Sequence, residues 1–169
     1  SKVGTKELDE KVSNVLRLIF RTSMDPNKPF GSLGSPEHGQ AGRKIGEEGI
    51  VLLQNNNNVL PIDLNKAKKI AVIGENAIKM MTVGGGSSSL KVKYEVSPLD
   101  GLKNRVGSQA EVVYARGYVG DPTGEYNGVK TGQNLKDDRS EDELLAEALQ
   151  VAKDADYVIF FGGLNKSSH

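Results

Sequence analysis

The sequence predicts an α/β fold with a mostly parallel sheet. Two observations carry this prediction: short apolar segments alternate with helix-like segments, and the helix-like segments begin at capping signals. Strands that alternate with helices in this way form a parallel sheet joined by right-handed crossovers. The clearest strand covers residues 69–74, which are apolar and β-branched after a charged start. Such a composition is typical of a strand that is buried on both faces.

Two further strands are predicted, over residues 111–115 and 157–161, and the second is also expected to be buried on both faces. Residues 50–53 provide a fourth apolar segment. Open doubly wound sheets usually have about five or six strands. We therefore expect the sheet in this chain to be incomplete and the domain to be truncated on its C-terminal side. The unpaired edge of such a sheet can promote self-association.

The helices that precede the first two strands begin at serines. Ser35 and Ser97 each stand before a proline, which is the arrangement of an N-cap followed by the first helical position. The first of these helices is expected to run over residues 35–48, with Gly49 at the C′ position. The second is expected to run over residues 97–107.

The third crossover begins after a long polar segment. Residues 118–139 contain no apolar periodicity, and a loop of this length in a compact domain is usually functional or disordered. Ser140 and Glu143 then form a capping box. The helix behind it is expected to bury its apolar residues, which are Leu144, Leu145, Ala148, Val151, Ala152 and Ala155.

The beginning of the chain predicts a separate structural region. Residues 5–22 have the periodicity of an amphipathic helix that Thr5 could cap. Its predicted buried face consists of Leu8, Val12, Val15, Leu16, Ile19 and Phe20. Residues 25–34 include two prolines and two glycines, which favour a linker. We predict two domains, residues 1–30 and residues 31–169, and expect the first helix to pack against something outside this chain.

The composition excludes several classes of function. Lysine plus arginine equals aspartate plus glutamate, at 22 each, and this balance does not favour nucleic acid or an anionic membrane as a partner. The chain has no cysteine, so disulfides, thiolate nucleophiles and cysteine zinc sites are excluded. His38 and His169 belong to no ligand-spaced cluster. We therefore expect neither a metal site nor a cofactor.

Two segments are candidates for a binding site. In open α/β sheets, ligands bind beyond the carboxyl ends of the strands, where residues 84–89 (Gly-Gly-Gly-Ser-Ser-Ser) and 162–169 follow predicted strands. Glycines let backbone amides approach a ligand, and serines add hydrogen-bonding groups; an ordinary surface loop would have the same composition. No nucleotide-binding glycine motif is present. Glu75 is the best-placed single carboxylate, and neither an acid/base pair nor a serine hydrolase triad can be assigned.

These segments together resemble the family 3 glycoside hydrolases, the β-glucosidase group. The resemblance covers roughly three quarters of the chain, and its sequence blocks occur in the family's order. The blocks are residues 48–55, 59–62, 69–77, 84–88, 97–102 and 161–165. The family usually has lysine where Gln54 stands and proline where Glu75 stands, and these departures put local stability in question.

The resemblance implies a three-layer α/β/α sandwich that follows a (β/α)8-type barrel, with residues 5–24 as the last barrel helix. It implies a retaining enzyme that cleaves terminal β-linked sugars from oligosaccharides or β-glucosides. The family's nucleophilic aspartate would precede residue 1 and its acid/base glutamate would follow residue 169. We therefore assign no catalytic residue in this chain and expect it to be inactive without the barrel.

The resemblance also implies supporting contacts in the sugar pocket. It assigns them to Gly85, Gly86, Ser87, Ser88 and Asn165. The sequence leaves the cellular location open, whereas the resemblance favours a periplasmic or secreted parent enzyme.

Two other interpretations of the sequence remain open. The chain could be a stand-alone α/β module that binds a small polar ligand, with the glycine- and serine-rich segment as its cradle. It could also be an interaction domain that docks through its first helix. The first predicts sugar or nucleotide affinity, and the second predicts loss of partner binding when residues 1–30 are deleted.

Overall fold

The computed structural model divides the chain into two compact units, Ser1–Val51 and Leu52–His169. The residues that the structure describes are 4–82, 92–118, 120, 125–126, 129–130 and 132–163. No helix among these residues is both long enough and apolar enough to cross a bilayer.

The first unit contains helices α1, Thr5–Thr22, and α2, Pro36–Gly49. Both predicted helices are thus confirmed, with two corrections at their ends. Thr5 is the first helical residue and Gly4 is the N-cap. Gly49 is the last residue of α2 rather than its C′ residue, because the chain turns extended at Ile50.

The apolar face of α1 is exposed. The side chains of its predicted face range from 39% exposed at Ile19 to 58% at Phe20, and no residue of the helix is buried. The predicted face therefore exists as a stripe on the helix surface. An apolar stripe of this kind is typical of a helix that packs against a partner.

The second unit is built on a three-stranded parallel sheet. Strand β1, Lys69–Ile73, lies between β2, Glu111–Ala115, and β5, Tyr157–Phe160. Val72 of β1 is paired with Tyr114 of β2 and with Ile159 of β5. All three predicted strands are confirmed, and β1 is buried along nearly its whole length.

Two helices cover opposite faces of this sheet. Helix α3, Pro98–Val106, places Leu99 against Val72 on one face. Helix α4, Glu141–Lys153, places Ala148 against Ile73 and Ala115 on the other. Neighbouring residues of a strand point to opposite faces, so Val72 and Ile73 separate the two layers. The result is an α/β/α sandwich, as predicted.

Both crossover helices begin where the sequence predicts. Ser97 accepts a hydrogen bond from Asp100 N at 3.1 Å. Ser140 accepts one from Glu143 N at 3.3 Å, and the Glu143 carboxylate accepts one from Ser140 N at 2.8 Å. The capping box predicted for α4 is therefore confirmed.

The long segment between β2 and α4 contains a short hairpin. Its strands are β3, Glu125–Tyr126, and β4, Val129–Lys130, which pair antiparallel. Residues 132–139 then lead to the cap of α4 without regular secondary structure. The sequence predicted a loop here because residues 118–139 lack apolar periodicity. That criterion did not detect the two short strands.

Two burial predictions are wrong, and the possible fourth strand is absent. Residues 50–53 form no strand and are largely exposed. Strand β5 is partly buried on one face and exposed on the other, where Val158 is 49% and Phe160 62% exposed. Leu145 of α4 is half-exposed for a related reason: α4 packs on β1 and β2, and β5 lies at the edge of the sheet.

Candidate functional site

The carboxyl ends of β1, β2 and β5 lie at the same edge of the sheet because the strands are parallel. The chain leaves this edge at Gly74, Arg116 and Phe161. This is the edge at which open α/β sheets bind ligands. We refer to it as the carboxyl edge.

All five site residues predicted from the sequence lie outside the described residues. They are Gly85, Gly86, Ser87, Ser88 and Asn165. The structure does describe the chain up to Thr82, from Val92 onwards, and up to Gly163. The structure therefore shows how these flanking residues are held.

Glu75 is the buried centre of the carboxyl edge. The residue directly follows Gly74, and its side chain is fully buried. Its carboxylate forms an ion pair with Arg116 at 2.5 Å and a second with Lys79 at 3.5 Å. A buried carboxylate must be paired to offset the loss of hydration. The geometry therefore favours a role in fixing the loops, where the sequence identified Glu75 only as the best-placed carboxylate.

Arg116 connects the end of β2 to the segment that precedes α4. Its Nη2 binds Glu75, and its Nη1 donates to the carbonyl of Leu135 at 2.6 Å. The same Nη1 lies 3.6 Å from Asp137 Oδ2. One buried guanidinium thus joins β1, β2 and residues 135–137.

Asp137 extends this network towards α4. Both of its carboxylate oxygens accept hydrogen bonds from the Arg139 guanidinium, at 2.9 and 2.7 Å. The Arg139 side chain holds the pKa of Asp137 well below its usual range. Arg139 also donates to Glu147 of α4 at 2.7 Å. The network therefore runs from the end of β1 to the outer surface of α4.

Gly120 provides room for the Glu75 carboxylate. A β-carbon at position 120 would overlap the carboxyl group of Glu75. Only glycine permits so close an approach of backbone to a side chain. The backbone at Gly120, after β2, therefore packs directly against the buried carboxylate of the ion pair.

Gln133 ties the segment before α4 to the chain that follows β1. Its side-chain oxygen accepts a hydrogen bond from Met80 N at 2.7 Å. Its side-chain amide donates to the carbonyl of Ile78, also at 2.7 Å. The side-chain amide of Gln133 thus uses both its acceptor and its donor to bind the backbone of residues 78–80.

Glu95 holds the next two residues of the same stretch. Its Oε1 accepts hydrogen bonds from Met81 N at 2.6 Å and from Thr82 N at 3.3 Å. Its Oε2 accepts a further bond from the Thr82 hydroxyl at 2.6 Å. One carboxylate thereby joins Met81 and Thr82 to a residue on the far side of the glycine- and serine-rich segment.

Asn76 joins the exits of β1 and β5. Its side-chain amide donates to the carbonyl of Gly163 at 3.0 Å. The Phe161 amide also donates to the carbonyl of Ile73 at 2.8 Å, which continues the pairing of the two strands. The stems of both predicted binding segments are therefore linked to each other through the end of β1.

Sequence reasoning missed the side chains that hold these stems. Arg116 follows β2 as Glu75 follows β1, so opposite charges after neighbouring parallel strands could have indicated the pair. Glu95 and Gln133 have no such signal. Their partners lie 13 to 55 positions away in the chain, and no local motif encodes these bonds.

The described side chains of the carboxyl edge bind one another and the backbone. Over the described ranges, no group of three histidine, aspartate or glutamate residues has the geometry of a metal site. This arrangement can position neighbouring segments of the chain. It fixes the points from which residues 83–91 and 164–169 continue the chain.

Comparison with known proteins places this edge in a family context. The glycosyl hydrolase family 3 C-terminal domain matches residues 50–169. A β-glucosidase of Bacteroides ovatus is 42% identical over 98% of this chain and 22% of its own length. A β-xylosidase of Formosa agariphila is 31% identical over 97% of this chain and 21% of its own length.

A solved structure agrees with these relatives. The family 3 β-glucosidase of Bifidobacterium adolescentis matches with a TM-score of 0.67 and 28% identity, over 98% of this chain and 21% of that one. The chain thus spans about a fifth of the length of these proteins.

Proposed function

The chain belongs to the family 3 glycoside hydrolases, and we propose that it forms the junction between two domains of a longer enzyme that removes terminal β-linked sugars. The observation that carries this proposal is the 42% identity to a β-glucosidase over 98% of the chain. The similarity to a β-xylosidase leaves the sugar itself undecided. The substrate class proposed is therefore oligosaccharides and aryl β-glycosides with a terminal glucose or a related sugar.

The proposed reaction proceeds with retention of configuration. In such enzymes one carboxylate attacks the anomeric carbon and a second carboxyl group protonates the leaving oxygen, with the two groups about 5–5.5 Å apart. We propose that the nucleophilic aspartate precedes this chain in the enzyme and that the acid/base glutamate follows it. The chain covers only about a fifth of the length of each relative, and this supports the placement. The 169 residues alone would then be inactive.

The proposed role of α1 is to complete a preceding barrel, with residues 1–30 as its last helix and linker. The exposed apolar stripe of α1 supports this role. Burial of such a stripe against the barrel would remove it from water and stabilise the assembly.

The proposed role of the carboxyl edge is to form part of the sugar pocket. Gly85, Gly86, Ser87, Ser88 and Asn165 would contact the substrate or the loops beside it. Support comes from the stems of these segments, which leave the sheet at the edge where α/β folds bind ligands and are joined there by Asn76.

The test compares the 169-residue chain with the full-length protein. We expect the full-length protein to release the aryl group from an aryl β-glucoside and the 169-residue chain to release none. Hydrolysis by the short chain, or an inactive and folded full-length protein, would contradict the proposal.

The proposed pocket is tested within the full-length protein. Replacement of both Ser87 and Ser88 by alanine should raise KM about tenfold, since each lost substrate hydrogen bond weakens binding by roughly 0.5–1.5 kcal/mol. The matched control is Ser108→Ala, an exposed serine in the turn between α3 and β2, which should leave KM unchanged. Equal KM values for all three proteins would remove these serines from the pocket.

A further inference from the structure

Strand β5 forms one edge of the three-stranded sheet. Among the residues that the structure describes, β1 is the one strand that pairs with it. The Phe161 amide, directly after β5, donates to the carbonyl of Ile73 at 2.8 Å and so points towards β1. Because the backbone groups of successive strand residues alternate between the two sides, the amides and carbonyls of Val158 and Phe160 point outwards, away from β1.

The outer edge of β5 carries neither of the residue types that commonly protect an open strand. Natural edge strands are often blocked by charged side chains or by proline. Residues 157–160 are Tyr-Val-Ile-Phe, and Val158 and Phe160 are exposed by 49% and 62%. An apolar and uncharged edge of this kind is a template for pairing with another chain.

One antiparallel register makes β5 complementary to the β5 strand of a second copy. When Ile159 lies opposite Ile159 of the second copy, Val158 lies opposite Phe160, and Phe160 lies opposite Val158. In an antiparallel ladder, alternate pairs of opposite residues exchange both of their backbone hydrogen bonds. In this register those pairs consist of the outward-pointing residues Val158 and Phe160, so all of their amides and carbonyls find partners.

The same register brings the exposed side chains of β5 together. Phe160 is paired with Ile73 of β1, and Ile73 packs against Ala148 of α4. Val158 and Phe160 therefore both lie on the α4 side of the sheet. Because directly opposite residues of two paired strands share a face, the dimer would place these side chains of both copies side by side. Their removal from water would stabilise the contact.

We propose that this edge binds a second copy of the same chain, so that two three-stranded sheets join through β5 in a two-fold symmetric dimer. A two-fold axis between the two Ile159 residues makes the contact self-complementary, since each copy offers the same donors and acceptors. Charge does not oppose the contact, because the formal net charge of the chain is zero and chains near zero net charge associate readily. The contact requires no catalysis and so does not depend on the proposed function.

The first test follows hydrogen exchange of the backbone amides by NMR in the unmodified 169-residue chain. Protein concentrations should extend to about 1 mM, because small interfaces bind weakly. As the dimer forms, exchange at the Val158 and Phe160 amides should slow severalfold, because pairing shields them from water. A monomer at the highest concentration would overturn the proposal. So would a monomer in which these two amides are protected at every concentration, because another segment of the same chain would then occupy the edge.

The second test measures the dissociation constant of the dimer by analytical ultracentrifugation. In Val158→Lys/Phe160→Lys the register places like charges opposite each other twice, and the dissociation constant should rise at least about tenfold. Val158→Glu/Phe160→Glu should have the same effect. Both positions are about half exposed or more, so both variants should fold. An equimolar mixture of the two variants should form a dimer again, because every charged pair then has opposite signs.

The matched control adds the same charges to the exposed apolar stripe of α1. Leu8 and Val15 are each 57% exposed, and Leu8→Lys/Val15→Lys should leave the dissociation constant unchanged. A dimer that survives the substitutions in β5 but is lost with those in α1 would form through α1 and would overturn the proposal. Failure of the lysine and glutamate variants of β5 to bind each other would likewise overturn the proposed contact.

Discussion

Strands β1 and β5 are paired neighbours of similar apolar composition, yet they occupy different environments. In β1, Ile70 and Val72 are fully buried, whereas in β5 Val158 and Phe160 are about half exposed or more. The difference follows from position. Strand β1 lies between two strands and beneath both helix layers, whereas β5 has one described neighbour and lies at the edge of the sheet.

The comparison teaches that strand composition and strand burial are separate properties. An apolar strand is stabilised only where other elements cover it, because the gain comes from apolar area removed from water. The exposed side of β5 is thus a surface that supplies little stability in this chain. The three predictions that follow test this contrast, beginning with the largest effect.

The largest effect is expected where β1 and β5 meet beyond their last residues. Gly74 has φ of +116°, and a β-carbon there would overlap the carbonyl oxygen of Phe161. Gly74→Ala should therefore lower the free energy of unfolding by about 3 kcal/mol or more, through both backbone strain and the clash. Urea unfolding of the purified chain measures this change.

The control for that prediction is another glycine-to-alanine change. Gly101 lies inside α3, and a β-carbon there would meet only Val96 Cγ1 at 3.9 Å. Gly101→Ala should stabilise the protein by up to about 1 kcal/mol, because alanine has the higher helix propensity. A Gly74→Ala protein as stable as wild type would show that the two strand exits need not approach closely.

An intermediate effect is expected from the same substitution made in both strands. Val72→Ala deletes two methyl groups from a fully buried site and should cost about 2–3 kcal/mol. Val158→Ala deletes the same groups from a half-exposed site and should cost less than about 1 kcal/mol. Urea unfolding curves of the two variants measure the contrast, and equal losses would contradict it.

The smallest effect concerns the opposite ends of the same two strands. Asp156, just before β5, accepts hydrogen bonds from Lys68 N at 2.8 Å and Lys69 N at 2.9 Å, and these bonds lower the pKa of Asp156. The carboxylate therefore stabilises the fold above the pKa that it has in the unfolded chain. That contribution is lost as the pH falls through the lowered value in the folded state.

Asp156→Asn should accordingly reduce the fall in Tm between pH 7 and pH 3. Thermal unfolding followed by circular dichroism at both pH values measures this difference. The control is Asp154→Asn, whose carboxylate accepts from the Gln150 side chain within α4 and its cap. An Asp156→Asn protein with the full wild-type pH dependence would show that this contact does not couple protonation to folding.

Local signals were sufficient to predict helices α1–α4 and strands β1, β2 and β5. Ser97 and Ser140 cap their helices as expected because a cap involves only residues within one turn. The strand over 69–73 could be predicted from its composition because apolar β-branched runs suit a sheet covered on both faces.

Burial and the stems of the candidate site could not be predicted in the same way. Leu145 belongs to a periodic apolar helix face, yet its burial depends on what lies beside α4, which is a tertiary property. Glu95 and Gln133 act through bonds to distant backbone atoms. A carboxylate or amide that binds backbone far along the chain leaves no pattern in its own neighbourhood.

The buried pair of Glu75 and Arg116 has a consequence for protein engineering within this family. Removal of one partner from a buried ion pair costs about 3–5 kcal/mol when the remaining charge has no other partner. Lys79 at 3.5 Å and Asp137 at 3.6 Å would remain beside Glu75 and Arg116, so the loss should be smaller than that, but exchange of either residue by itself would still be destabilising. A chimera that imports the first strand and its exit from a relative must therefore import the exit of the second strand as well. The two segments form one exchangeable module although they are separated by 41 positions in the chain.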